Sequence, residues 1–181
     1  RDLSRDPNRG DALEVDTVRA LESIGAKAEL ERRGAVWARR AIFTSGRGNE
    51  LVQTHLGENA RLVLNHAEIE AGLLQVARDR GVDIRYQTVT GVRREAGRWR
   101  VEAGEQVHEP RLLIAADGAR SIVREYARID HPGWEYEHSV VILHAQKPGW
   151  MEEDVAWLIH HRQGAVMVLP TTPRGKCRVV V

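Results

Sequence analysis

Asp117 and Gly118 stand where the apolar run of LLIAADGARSIVR (residues 112–124) stops and a small-residue, basic segment begins. A carboxylate that leaves a buried strand at a tight turn must be paired or hydrogen-bonded, because an isolated charge out of water is expensive. Backbone amides are its natural donors, and Gly118 lets the backbone come close. Taken alone, Asp-Gly after a strand is also a common turn. Arg9 precedes a helix expected from Asp11. There the free amides, the helix dipole and a forked guanidinium together suit phosphate oxygens, although a lone arginine at such a place is more often solvated. His66 stands in the first turn of a second expected helix, where a neutral imidazole can donate one hydrogen bond or simply face solvent.

These residues need elements to position them. Asp11 to Glu14 has the shape of a capping box, and Leu13, Thr17, Val18, Leu21 and Ile24 then recur on one helical face until Gly25. Residues 27–64 are short apolar patches separated by Gly, Asn and Glu, which predicts strands and loops. In NHAEIEAGLLQVARDRG, Asn65 is the cap, Ile69, Leu73, Val76 and Ala77 have helical spacing, and Gly81 closes the helix. Three strand-like runs follow, with Trp99, Val101 and Ala103 alternating in the middle one. Leu112 to Ala116 lacks alternation and predicts a strand covered on both faces, as in a parallel sheet, with Asp117 at its carboxyl end. A short helix is expected over 120–127, and strands of another sheet over 138–145, 155–162, 164–170 and 176–181.

Composition narrows the function classes. The 181 residues carry 27 basic and 26 acidic side chains, for a net charge of +1, with 42% hydrophobic and 29% charged residues. This balance suits a soluble globular protein and gives no basic surplus for nucleic acid or an anionic membrane. No apolar run approaches the ~20 residues that span a bilayer. The polar RDLSRDPNRGD start is unlike a signal peptide, so a cytoplasmic protein is expected. Cys177 is the lone cysteine, and the histidines lack ligand spacing, so no metal is expected.

The combination of LLIAADGARSIVR, NRGDALE (8–14) and NHAEIEAGLL (65–74) resembles the single-component aromatic hydroxylases, FAD-dependent monooxygenases of the p-hydroxybenzoate hydroxylase type. GAVMVLPTTPRGKCRVVV is similar to strands of that family's substrate domain. The resemblance implies an α/β fold: a Rossmann-like FAD-binding domain of the glutathione reductase type with a β-meander, formed by 1–26 and 65–130. A mainly antiparallel substrate domain would be formed by 27–64 and 131–181. It implies FAD contacts at Arg9, His66, Asp117 and Gly118, with Arg9 on the pyrophosphate and Asp117 bracing the phosphate loop through amides or a ribose hydroxyl. It further implies consumption of NAD(P)H and hydroxylation of an aromatic or similarly electron-rich small molecule through a flavin C4a-hydroperoxide. Substrate deprotonation would fall to His144, His160, His161 or Tyr136, which location alone recommends.

The chain departs from the family pattern in three ways. No G-x-G-x-x-G is present, the downstream Gly-Asp motif is absent, and His66 stands where arginine or glutamine is usual. The expectation is therefore a central portion of a larger enzyme, incomplete at both ends. Alone it would bind FAD weakly, because part of the anion cradle is missing. The alternatives are another flavoprotein of the same fold, such as a halogenase or reductase, or a truncated module without catalysis.

Overall fold

The protein is represented by a computed structural model that describes residues 10–46, 51–130, 132–134, 137, 139–171 and 175–181, with the backbone alone described at 10, 11 and 51. In chain order the first elements are β1 (Gly10–Leu13), α1 (Val15–Ser23), α2 (Ala26–Arg32), β2 (Val36–Ala38), β3 (Arg40–Ser45), β4 (Leu51–His55), β5 (Arg61–Asn65) and α3 (His66–Asp79). Then come β6 (Val89–Glu95), β7 (Arg98–Ala103), β8 (Gln106–His108), α4 (Ile122–Tyr126), β9 (Ile142–Gln146), β10 (Val155–His161), β11 (Gly164–Thr171) and β12 (Lys176–Val180). They divide into two compact units, a smaller one at Ile84–Glu137 and a larger one built from the residues on either side of it. The arrangement is mixed α/β with a separate β-meander, as expected.

In the larger unit, β5 is the centre of a three-stranded antiparallel sheet ordered β1-β5-β2. Its alternation serves two faces at once. Leu62 and Leu64 pack with Val18, Leu21, Ala26, Leu30 and Ile69 of the helices, whereas Val63 packs with Ala38 and with Leu169 of β11. The second sheet has six strands ordered β4-β3-β10-β11-β12-β9 and is antiparallel except where β3 lies parallel to β10. Strands β9 to β12 fall on the four runs expected as strands, with β9 beginning at Ile142 rather than at 138. Helix α3 also agrees with its pattern and ends in a Schellman turn, Gly81 N–H donating to Arg78 O and Val82 N–H to Ala77 O.

Three expectations are corrected. Asp11 does not cap a helix: residues 10–13 form β1 and pair with Leu62–Asn65, and the cap position of α1 is Glu14. A full ladder of interstrand hydrogen bonds outweighs one local cap, and it places Ala12 and Leu13 against the two cores. Residues 26–32 are helical rather than extended. Ala26 and Leu30 form a two-residue stripe with no exposure, and Arg33 pairs with Glu29 of its own segment and with Glu68 of α3. Gly72 of α3 receives this helix: a Cβ there would stand 2.6 Å from Leu30 Cδ2. Finally, Leu112–Ala116 is not a buried strand. Leu112 and Ile114 are 73% and 79% exposed, and no described strand pairs with the segment. An apolar run becomes a strand only when a neighbour takes its backbone hydrogen bonds, and none does so among the described residues.

In the smaller unit β6, β7 and β8 form an antiparallel meander with Val101 and Ala103 buried. Tyr126, at the end of α4, sets its ring edge-on to Trp99 of β7 at 6.2 Å. Arg94 of β6 lies over the Trp99 ring at 5.7 Å. Helix α4, and the turn that precedes it, is thereby fastened to the meander.

Candidate functional site

The Asp117–Gly118 turn is closed by its own chain. Asp117 Oδ2 accepts the Ile122 N–H at 2.9 Å. The Ser121 hydroxyl, followed by the amides of Asp117, Ile122 and Val123, holds the carboxyl below the ordinary aspartate range, against a smaller opposing effect of desolvation. Ser121 in turn caps α4 by accepting the Arg124 N–H at 3.0 Å, and the Arg124 guanidinium donates back to the Ala119 carbonyl. The carboxylate thus has hydrogen-bond donors, although Asp117 is exposed and not at the end of a buried strand as expected. Gly118 sits at φ 84°, a left-handed conformation that side chains resist, and nothing lies within 4 Å of where a Cβ would stand. The backbone of the turn is accordingly open to close approach. Beside it, Arg120, Ser121, Arg124, Glu125 and Ile129 line a hollow of about 250 Å³.

His66 is the first residue of α3 and belongs to the larger unit. Its Nε2 lies 3.2 Å from Glu70 Oε1 one turn on. Asn65 holds the N-cap position but makes no capping bond to the helix. Its side chain joins Thr171 and Arg178, a buried group that the sequence reading did not single out. The available signal was an arginine inside the apolar KCRVV run, flanked on β12 by buried Cys177. Of the residues expected to contact FAD, Asp117 and Gly118 share one turn and His66 heads α3; Arg9 lies outside the described residues.

Among the proton-transfer candidates, His160 and His161 are exposed at the end of β10, His144 is half-buried on β9, and Tyr136 lies outside the described residues. Burial pushes the Cys177 thiol up, which keeps it protonated. No cluster of three metal-ligating side chains occurs among the described residues, and no described helix is long and apolar enough to cross a membrane. A hollow of about 410 Å³ in the larger unit is lined by Trp37, Arg39, His55, Gly57 and Ala60.

In the smaller unit, the open left-handed glycine turn, with the Asp117 carboxylate already accepting the Ile122 amide, suits the close approach of an anionic group. Comparison with known proteins agrees. Dialkyldecalin synthase of Streptomyces rugosporus is 31% identical over 135 residues, 73% of this chain and 28% of that protein. The ubiquinone biosynthesis monooxygenase COQ6 of Danio rerio is 39% identical over 69 residues, 37% of this chain and 14% of that one. Two solved structures share the fold. P. aeruginosa PqsL in complex with 2-aminobenzoylacetate has a TM-score of 0.79 at 20% identity, over 98% of this chain and 50% of that one. p-Nitrophenol 4-monooxygenase PnpA of Pseudomonas putida has a TM-score of 0.82 at 21% identity, over 99% and 49%. The chain thus spans about half the length of these solved proteins and less of the curated relatives. Its match to the FAD binding domain runs over residues 1–181, and the chain belongs to that family.

Proposed function

We propose that this chain is the central portion of an FAD-dependent monooxygenase that consumes NAD(P)H and hydroxylates an aromatic or similarly electron-rich small molecule. The observation that carries the reading is the Asp117–Gly118 turn, self-satisfied and open at the glycine, in a chain that matches an FAD-binding family throughout. Arg9, His66, Asp117 and Gly118 would hold the cofactor, Arg9 as the phosphate partner and Asp117 by keeping the turn in shape. Residues 1–26 and 65–130 would serve FAD, and 27–64 with 131–181 the substrate. When bound, FAD supplies the redox chemistry with dioxygen; this chain's residues bind it, orient it and exclude water. The names of two structural neighbours support the substrate class, since one was solved with 2-aminobenzoylacetate and the other is named for p-nitrophenol.

A second reading has a specific observation behind it: the relative matched over 135 residues is named a synthase, not an oxygenase. In that reading the same cradle holds FAD for a reaction without hydroxylation. The longer natural protein that contains this chain decides between them. The first reading expects a yellow protein whose NAD(P)H oxidation and oxygen uptake rise with an aromatic substrate. A yellow protein that takes up no oxygen with any substrate of a phenol and aniline panel favours the second, and a colourless protein that cannot be loaded with FAD refutes both. In the same protein Arg9→Ala should weaken FAD by one to two decades, the worth of about 1.5–3 kcal/mol for a charge-assisted contact.

A further inference from the structure

The hollow of about 410 Å³ in the larger unit lies where the ends of β2 and β4 meet the Gly57–Asn59 turn that leads to β5. Arg39 alone separates β2 from β3, and its carbonyl accepts the Leu56 N–H at 2.8 Å, which draws the end of β4 beside it. His55 there pairs in register with Arg40. Trp37 and Arg39 are two residues apart on this extended run, and both line the hollow with His55, Gly57 and Ala60. The indole is fixed: Trp37 packs against the core of Leu62 and Leu30, and its Nε1 donates to Glu31 Oε1 at 3.1 Å. Gly57, at φ 52°, has open space where a Cβ would stand, so the turn borders the hollow without filling it.

Among the described residues the exposed side chains of Arg39 and His55 make no hydrogen bond and no ion pair. The Asp154 carboxyl is held below the ordinary aspartate range chiefly by its hydrogen bonds from Arg40, with the Arg39 charge as the smallest contributor. A guanidinium with its fork unspent suits a phosphate, an imidazole adds a further donor, and an immobilised indole suits a flat ring. The volume lies in the range of about 300–1,000 Å³ that takes a drug-sized molecule, more than one substituted ring needs. The other charges of the turn are Glu58, exposed, and Arg61, which donates to the Asn59 carbonyl at 3.2 Å. A ligand with one phosphate and neutral hydroxyls therefore suits the place better than a polyphosphate.

We propose that this hollow binds a nucleoside monophosphate group, with Arg39 and His55 on the phosphate and Trp37 against the base. The group has two sources, a free nucleotide or the adenosine end of a nicotinamide dinucleotide. None of these residues is assigned to the flavin, so the site stands apart from the FAD reading.

The test follows the Trp37 indole N–H by NMR in the longer natural protein supplied with FAD; the signal is the one that Trp37→Phe removes. Adenosine monophosphate should move it with a Kd of about 1 mM or tighter. Adenosine, which lacks the phosphate, should bind at least about tenfold more weakly, and so should the monophosphate to Arg39→Gln, the worth of one charge-assisted contact. His55→Ala should weaken the monophosphate about fivefold. Both side chains are exposed, so neither replacement opens the core. If NADP⁺ moves the same signal the source is the dinucleotide, and if it does not the source is a free nucleotide. An indole signal that ignores the monophosphate, equal binding of adenosine, or undiminished affinity in Arg39→Gln would overturn the proposal. A protein that takes up no FAD yet gives the expected titration would remove the FAD reading and leave this site standing.

Discussion

The Tyr126 hydroxyl accepts the Arg94 backbone N–H at 2.7 Å, tying the end of α4 to strand β6. The residues from Asp117 to Tyr126 are therefore held at both ends, at one by the carboxylate on the Ile122 amide and at the other by this phenol. Tyr126→Phe keeps the edge-on contact with Trp99 and removes only the acceptor. It should cost about 1 kcal/mol. Chemical denaturation measures the loss, and amide exchange over Ile122–Tyr126 should quicken more than over β7.

The Asp117 carboxyl titrates below its ordinary value in the folded protein. Between the folded and unfolded values the unfolded chain binds more protons. The stabilisation is thus complete above the ordinary aspartate pKa of about 3.9 and drains away as pH falls through the lower, folded value. Asp117→Ala lacks this dependence. Stability curves of the two proteins should converge as pH drops below about 3.9, and a gap that stays constant into acid would contradict the assignment.

Arg40 of β3 donates through Nε and Nη2 to Asp154 at 3.0 and 2.6 Å and also pairs with Glu152, just before β10 begins. The Asp154 carbonyl accepts the Arg39 and Arg40 amides as well, so this corner sets the parallel register of β3 on β10. Arg40→Gln should lower the melting temperature at low ionic strength. The difference from the parent should narrow toward about 1 M salt, where screening acts within a few ångströms. A difference independent of salt would mean that the side chain contributes by packing.

Gly72 is where α2 and α3 touch. An alanine there gains up to about 1 kcal/mol of helix propensity but meets Leu30 Cδ2 at 2.6 Å, and Leu30 is fully buried. Overpacking of this kind costs about 1–3 kcal/mol, so Gly72→Ala should be net destabilising. Adding Leu30→Ala should cost less in that background than in the parent, a coupling that a double-mutant cycle by denaturation reads directly.

How far the sequence foretold these features depended on whether local pattern and tertiary partner agreed. Helix α3 carries its period over enough residues to be read directly, and β9–β12 fall on apolar runs read as strands. The Asp11–Glu14 box is locally sound, yet β5 offers residues 10–13 a ladder, and a partner strand at 62–65 leaves no trace in the local pattern. Helix α2 has only Ala26 and Leu30 as its apolar stripe, too little to show a period. At the candidate site, Asp117–Gly118 was legible as a turn, and its carboxylate is hydrogen-bonded there, but the buried strand expected before it is absent. The Arg178 group was not, because β12 is buried on both faces at Cys177 and Arg178, where alternation would have turned the arginine outward.

The parallel seam between β3 and β10 also bears on how the chain assembles. Arg40 and Asp154 are 114 residues apart, yet they fix one register. On the ribosome the β3–β4 hairpin emerges long before its neighbour exists, so the Arg40–Ser45 edge waits with unspent backbone donors and acceptors while the intervening chain is made. Closing so distant a pair carries a loop-entropy cost that local hairpins avoid, so a two-strand hairpin forms sooner than this seam.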